Sequence, residues 1–171
     1  MRIVVMGVSG CGKSTVGKQL ALELGLGFVE GDSLHSHENV EKMRAEIPLT
    51  DEDRWPWLTT IGKHLLMTEG GCIVSCSALR RSYRDLLRRC GGPDVRFVFL
   101  DGSFELINER LQQRSNHYMP QSLLQSQFDT LEYPEGEDDL LILSIAEPTE
   151  VLTRTAIEWL QDKKPKDNND E

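Results

Sequence analysis

The stretch Gly7-Val8-Ser9-Gly10-Cys11-Gly12-Lys13-Ser14 fits G-x-x-x-x-G-K-[S/T], the spacing of a phosphate-binding loop. It follows the apolar run Ile3-Val4-Val5 and precedes a stretch in which Val16, Leu20 and Leu24 recur every four residues. A strand before and an amphipathic helix after is the context that gives the motif its meaning. Gly7, Gly10 and Gly12 let backbone N–H groups turn inward without Cβ clashes, making an anion nest at a helix N-terminus. Lys13 is placed to reach the β- and γ-phosphates of ATP, and the Ser14 hydroxyl to join a magnesium shell. Thr15 reads as support for the helix start. Cys11 has two readings: a thiolate favoured by Lys13 and the helix end, whose alkylation blocks ATP binding, or a small space-filling side chain.

Phosphoryl transfer from such a loop needs a group that orients the acceptor. Glu30-Gly31-Asp32 closes a second apolar stretch, and groups just beyond strand C-termini face the crevice of an open parallel sheet. Asp32 is either a carboxylate holding an acceptor hydroxyl in line with the γ-phosphorus or a turn residue. His35 is either part of the same site or a hydrogen-bonded residue at a helix start. Arg54, within Asp51-Glu52-Asp53-Arg54-Trp55-Pro56-Trp57, carries a planar fork suited to a carboxylate, with a solvated helix face as the other reading. Arg80, Arg84 and Arg88 recur every four residues and, with Arg81 and Arg89, form the densest positive cluster. Such a cluster near a strand end suggests an anionic small molecule, although a solvated face stays open for Arg88 and Arg89. Arg110 and Arg114 bracket the start of a polar segment; arginines closing on a triphosphate would stabilise charge in the transition state. His117-Tyr118-Met119-Pro120 is the expected tip of that segment.

The elements that must position these groups alternate between short apolar runs and helical stretches, the pattern of a parallel sheet covered by helices. Strands are expected at Arg2–Met6, Gly27–Glu30, Cys72–Cys76, Arg96–Leu100 and Leu140–Ile145. The first helix begins within the glycine loop and runs to about Leu24, stopped by Gly25. Leu79, Tyr83, Leu86, Leu87 and Cys90 line another helix, closed by Gly91-Gly92-Pro93; a further helix runs from Asp101-Gly102-Ser103 through Leu111, and Glu147-Pro148 opens the last. Two stretches break the alternation. Residues 33–69 hold roughly two helices and read as a substrate-binding segment, and residues 114–134 read as a lid; both have the alternative of plain solvated loops and helices. Residues 1–162 therefore form a single domain, and the charged tail 163–171 is expected to fray.

The chain has 171 residues and a net charge of -9, which argues against a general nucleic-acid binder. No apolar run approaches the roughly 18–20 residues that cross a bilayer, and the N-terminus lacks a signal-peptide pattern, so a cytoplasmic protein without membrane contact is expected. The four cysteines at 11, 72, 76 and 90 miss the usual zinc spacings and read as reduced thiols.

With these residues in place, the chain closely resembles the gluconate kinases, small P-loop enzymes related to shikimate and nucleoside-monophosphate kinases. The resemblance covers nearly the whole length. It rests on Val5-Met6-Gly7-Val8-Ser9-Gly10, Gly31-Asp32-x-Leu34-His35, Glu38-Asn39-x-x-Lys42-Met43 and Pro48-Leu49-Thr50-Asp51-Glu52-Asp53-Arg54-x-Pro56-Trp57-Leu58. It continues through Cys76-Ser77-Ala78-Leu79-Arg80-Arg81-x-Tyr83-Arg84-Asp85, His117-x-Met119-Pro120 and Leu124-x-Ser126-Gln127-Phe128-x-x-Leu131-Glu132-x-Pro134. The resemblance implies an α/β P-loop NTPase fold like that of the nucleoside-monophosphate kinases: three α/β/α layers, a five-stranded parallel sheet and an inserted lid. It implies ATP- and Mg2+-dependent phosphorylation of D-gluconate at its 6-hydroxyl by a homodimer. Carried over by position, Lys13, Asp32 and Arg114 become the catalytic set, with Arg110 stacking on adenine, Pro148 bordering it and Arg114 touching phosphates. Asp32, His35, Lys42, Arg54, Ser77, Arg80, Arg84 and His117 become the sugar-acid contacts, Arg54 taking the carboxylate. The chain departs from the family in having Arg80-Arg81 where many members carry Lys-Lys, Glu30 where Asp is frequent, and Tyr118 where Phe is common.

Overall fold

A run such as Ile3-Val4-Val5-Met6 has no polar face to offer water, so it belongs in a sheet covered on both sides. The computed structural model describes residues 1–113 and 121–162. Its strands are β1 (Arg2–Met6), β2 (Gly27–Glu30), β3 (Cys72–Ser75), β4 (Val95–Asp101) and β5 (Leu140–Ser144). All pair in parallel, in the order β2-β3-β1-β4-β5. They match the expected runs to within a residue at each end. Register places Ile3 beside Ile73 and Arg96, so β1 lies in the middle of the sheet with a strand on either side.

Alternate residues of the strands supply two cores. Ile3, Val5, Ile73, Val98 and Leu100 face one side, where α1 (Lys13–Leu24) and α7 (Thr149–Asp162) cover them. Val4, Met6, Val74, Phe97 and Phe99 face the other, against α3 (Asp51–Met67) and α4 (Arg81–Gly91). The three-layer α/β/α architecture follows from this two-residue period. Residues 33–69 contain the two helices expected, α2 (His37–Arg44) and α3. The second starts at a capping box in which Thr50 accepts from the Asp53 N–H and Asp53 accepts from the Thr50 N–H. α5 (Phe104–Gln113) and α6 (Gln121–Thr130) flank residues 114–120, which lie outside the described residues, as does the tail 163–171.

Two arginines of the basic stripe, Arg84 and Arg88 on α4, are committed within the protein. Arg84 is 1% exposed, and its guanidinium donates to the carbonyls of Ala78, Leu79 and Glu132 and to both oxygens of Glu137. Arg88 grips Asp139 through two nitrogens, reaches Asp85 at 2.8 Å and lies over the Phe97 ring. The solvated reading of Arg88 is thus overturned, and the acidic run 135–139 acquires a structural role, since its carboxylates neutralise α4. Burial by itself would raise the Glu137 carboxyl, but the hydrogen bonds from Arg84 and Arg88 hold it below the usual carboxylate value.

Breaking a buried pair strands the surviving charge at a cost of about 3–5 kcal/mol. Glu137→Ala is therefore expected to lower the unfolding free energy, measured in urea at pH 7, by that amount. Because the folded-state value is depressed, the stabilisation is full above the unfolded carboxylate range and fades as pH falls through the folded value. The wild-type advantage should shrink in acid accordingly. A loss under about 1 kcal/mol at pH 7 would show that Arg84 does not depend on this partner.

Candidate active site

The C-terminal ends of β2, β3 and β1 lie side by side, and each opens into a loop carrying candidate residues. The loop after β1 is the glycine-rich one. Gly7, Gly10 and Gly12 all have positive φ, at 141, 83 and 102°, a region costly for side chains bearing Cβ. At Gly7 a Cβ would strike Cys11 Sγ and the Leu100 carbonyl, and at Gly10 it would strike the Leu111 side chain. A Cβ on Gly12 would instead project into space with no atom within 4 Å, the room a phosphate group requires. The first helical bond of α1 runs from Val16 N–H to Gly12 O, so the N–H groups of Lys13, Ser14 and Thr15 have no helical acceptor. Lys13 Nζ arches back to the Gly7 and Val8 carbonyls at 3.1 and 3.0 Å. Donors, dipole and cation converge, and the arrangement fits the phosphates of a nucleotide.

The loop after β3 is sewn to this cradle: Gly7 N–H donates to Ser77 O and Cys76 N–H to Val5 O. Ala78, at φ 45°, takes a left-handed backbone that Arg84 holds through the Ala78 carbonyl. Arg84 is thereby corrected as a substrate contact. All three of its guanidinium nitrogens are committed inside the protein, and it shapes the loop that presents Ser77 and Arg80. Lys42 is similarly occupied, 2.7 Å from Asp53 and 3.6 Å from Glu38, and ties α2 to α3. The hydrogen bond with Asp53 raises its pKa and depresses that of Asp53. Glu30 accepts from Ser75 Oγ at 2.6 Å and so is bound to the neighbouring strand.

Asp32 lies in a 3-10 turn, Gly31–Leu34, at the end of β2, with its carboxylate 89% exposed. The turn is pinned from beneath: Gly31 N–H donates to Ser75 Oγ, and Trp57 Nε1 donates to Gly31 O. His35 stacks on Trp57 with ring centroids 4.1 Å apart, and its side chain is 3% exposed. Asn39 Nδ2 donates to Asp53 O, which settles the orientation of that amide; the same nitrogen reaches His35 Nδ1 at 3.3 Å. Nδ1 must then accept, so the ring proton resides on Nε2, 3.9 Å from Asp32 Oδ1. Burial pushes the His35 pKa down and Arg54 adds to this, against an opposite pull from Asp32.

Arg54 and Arg80 come together around Asp51, a carboxylate whose place in the sequence suggests only a helix start. Asp51 accepts from Arg80 at 2.9 Å and from the Tyr83 hydroxyl, and lies 3.9 Å from Arg54. Both guanidinium groups also approach the Tyr83 ring, at 5.8 Å. Only the Asp51–Arg54 spacing is legible locally; Arg80 and Tyr83 lie 29 and 32 residues beyond Asp51, at the start of α4. On the other side of the cradle, Arg110 donates to Ile145 O at 2.6 Å, next to the loop holding Pro148. Arg114 and His117 lie outside the described residues. Gln127, which no local spacing marks as a site residue, accepts from Ser9 N–H and donates to Ser9 Oγ.

Of the two readings of Cys11, the reactive thiolate is the one the structure disfavours. Its side chain is buried in the core under the loop, and burial raises its pKa despite the pull of Lys13 and nearby N–H groups. The space-filling reading is the one the geometry favours. Cys76 is buried too, its thiol pushed up to about 12.

Comparison with known proteins agrees with this geometry. The shikimate kinase family matches residues 9–142 of the chain. A gluconokinase from Sinorhizobium meliloti 1021, known as a crystal structure, is 50% identical with a TM-score of 0.88, covering 94% of this chain and 91% of that one. The gluconokinase of Gluconobacter oxydans is 44% identical over 162 residues, 93% of this chain and 90% of its own. The Mycobacterium tuberculosis APS kinase CysC, solved in complex with AMPPNP and APS, shares the fold at 20% identity and a TM-score of 0.66, covering 94% of this chain and 97% of that one.

The hydrogen-bond chain at His35 makes a spectroscopic prediction. Nitrogen-15 correlation spectra should show His35 as the Nε2–H tautomer and neutral at pH 6.5, titrating below the ordinary 6.5. Asn39→Leu should release the tautomer preference. An Nδ1–H tautomer, or titration above 6.5, would contradict the arrangement.

Proposed function

The chain belongs to the shikimate kinase family and, within it, to the gluconokinases, and from that premise we propose that it phosphorylates D-gluconate at the 6-hydroxyl, using ATP. The 6-oxygen forms a bond to the γ-phosphorus while the bond from that phosphorus to the β–γ bridging oxygen breaks. ADP leaves with the former bridging oxygen, and the hydroxyl proton passes to Asp32 or to water. The observation that carries this reading is the division of the sheet edge. The phosphate cradle follows the central strand, with Asp32 and the Arg54–Arg80 pair on the β2–β3 side and Arg110 with the Pro148 loop on the β4–β5 side.

In this scheme the N–H groups of Lys13, Ser14 and Thr15 and the Lys13 ammonium hold the phosphates and balance charge that grows on the transferred group. Ser14 would contribute its hydroxyl to magnesium, whose role when bound is to neutralise the phosphate oxygens. Asp32 orients the 6-hydroxyl, with His35 Nε2–H beside it. The forks of Arg54 and Arg80, already braced by Asp51 and Tyr83, take the sugar-acid carboxylate with little ordering left to do. Ser77 lines the acceptor side, Arg110 and Pro148 border the adenine, and Arg114 and His117 act from the lid. The reading includes a homodimer in the cytoplasm, and no described helix is long and apolar enough to cross a membrane.

Coupled ADP release with Mg-ATP should appear with D-gluconate and not with shikimate or AMP; release with a different acceptor instead would discard the substrate. Asp32→Asn is expected to lower kcat roughly 10²–10⁴-fold with ATP affinity near wild type. An unchanged kcat would return Asp32 to a turn residue. Lys13→Ala should lower turnover by orders of magnitude, and near-normal turnover would remove the cradle assignment.

A further inference from the structure

The apex of the phosphate loop, Ser9-Gly10, is gripped from two helices far away in sequence. Leu111 of α5 occupies the space a Cβ at Gly10 would need, its Cγ 2.7 Å from that position. From α6, Gln127 Oε1 accepts the Ser9 N–H at 2.7 Å while Gln127 Nε2 donates to Ser9 Oγ at 3.0 Å. The two bonds span 118 residues. α6 is itself seated firmly: Leu124 is fully buried in the same core as Val8, Cys11 and Leu111, and Phe128 packs edge-on against Phe104 of α5. The amide is therefore a fixed post rather than a solvated side chain that meets the loop by chance.

We infer that Gln127 is a positioning residue of the nucleotide site, holding Ser9 so that the phosphate loop is set before nucleotide arrives and so that nucleotide binding tightens α6. An amide is the side chain that serves here. One oxygen satisfies the Ser9 N–H and one N–H group satisfies the hydroxyl, without bringing charge to a loop that receives a polyanion. A glutamate of the same length can accept from both the N–H and the hydroxyl of Ser9, so it keeps the clasp. It also places a negative charge beside the phosphates. The pair Gln127→Ala and Gln127→Glu therefore separates a strut from a positioning group. The inference rests on the nucleotide reading of the loop and not on the identity of the acceptor.

The test is MgADP titration by calorimetry on the full-length protein, with hydrogen exchange of α1 and α6 measured with and without MgADP. Gln127→Ala is expected to weaken MgADP about tenfold, and Gln127→Glu more, with the extra loss shrinking as salt is added. In wild type, MgADP should slow exchange over both Lys13–Leu24 and Gln121–Thr130. In Gln127→Ala the slowing over α1 should remain and that over α6 should vanish. MgADP affinity within about twofold of wild type in both variants, with α6 still protected, would overturn the inference. So would a Gln127→Glu protein that binds as wild type while Gln127→Ala only melts earlier, since a strut alone would behave that way. Failure of the wild type to bind MgADP would overturn the nucleotide reading with it, whereas MgADP binding without any turnover of D-gluconate would overturn the substrate reading alone.

Discussion

A guanidinium with almost no access to water organises the acceptor half of this molecule. Arg84 donates to three backbone carbonyls and one carboxylate, and the carbonyls belong to two loops that the Glu132 N–H, donating to Leu79 O, also ties together. One of them, after β3, contains Ala78 in a left-handed backbone conformation, which costs on the order of 1–3 kcal/mol and persists only when its surroundings impose it. Arg84 helps to impose it, with the Glu132 N–H donating to Leu79 O and the Gly7 N–H to Ser77 O on either side. A lysine could bring the charge but not the planar fork that satisfies several acceptors at fixed angles. Arg80, which meets Arg54 around Asp51, follows directly on the loop that this internal charge braces.

A second consequence concerns how an acidic protein keeps a basic site. The net charge is -9, yet Arg54, Arg80, Arg84 and Arg88 each have a carboxylate or an aromatic face beside them. Asp51 braces Arg80 and Tyr83, while Glu137 and Asp139 absorb Arg84 and Arg88. The cations differ in what they have left. Arg84 has nothing to offer a ligand, whereas the side chains of Arg54 and Arg80 remain 30% and 41% exposed. That difference in residual exposure separates structural cations from those able to meet an anion.

The fold was legible because each strand is a short apolar run bounded by glycine or charge, and the main helices carry apolar residues at three- or four-residue spacing. The nucleotide loop was legible for a related reason: Gly7 to Ser14 are contiguous, and their spacing encodes a backbone shape. The acceptor side was less so. Nothing in the four-residue spacing of Arg80, Arg84 and Arg88 says which of the three faces inward, because that is decided by Glu137 and Asp139, about fifty residues away. The choice between the two readings of Cys11 was hidden for a similar cause. Its neighbours in sequence favour the thiolate, but the core packed around it from β4, α5 and α6 excludes the water a charge would need.

The central place of β1 also bears on how the protein is made. The phosphate loop is made before both neighbours of the strand that carries it, which pairs with residues 72–75 on one side and 95–99 on the other. Until those have emerged, β1 is an unpaired hydrophobic strand and the glycine loop has no rigid base. Recognition of nucleotide is thus deferred until β4 has emerged. Nascent β1 is the part most in need of shelter from aggregation, and a ligand that stabilises the finished enzyme can do nothing for it during that interval.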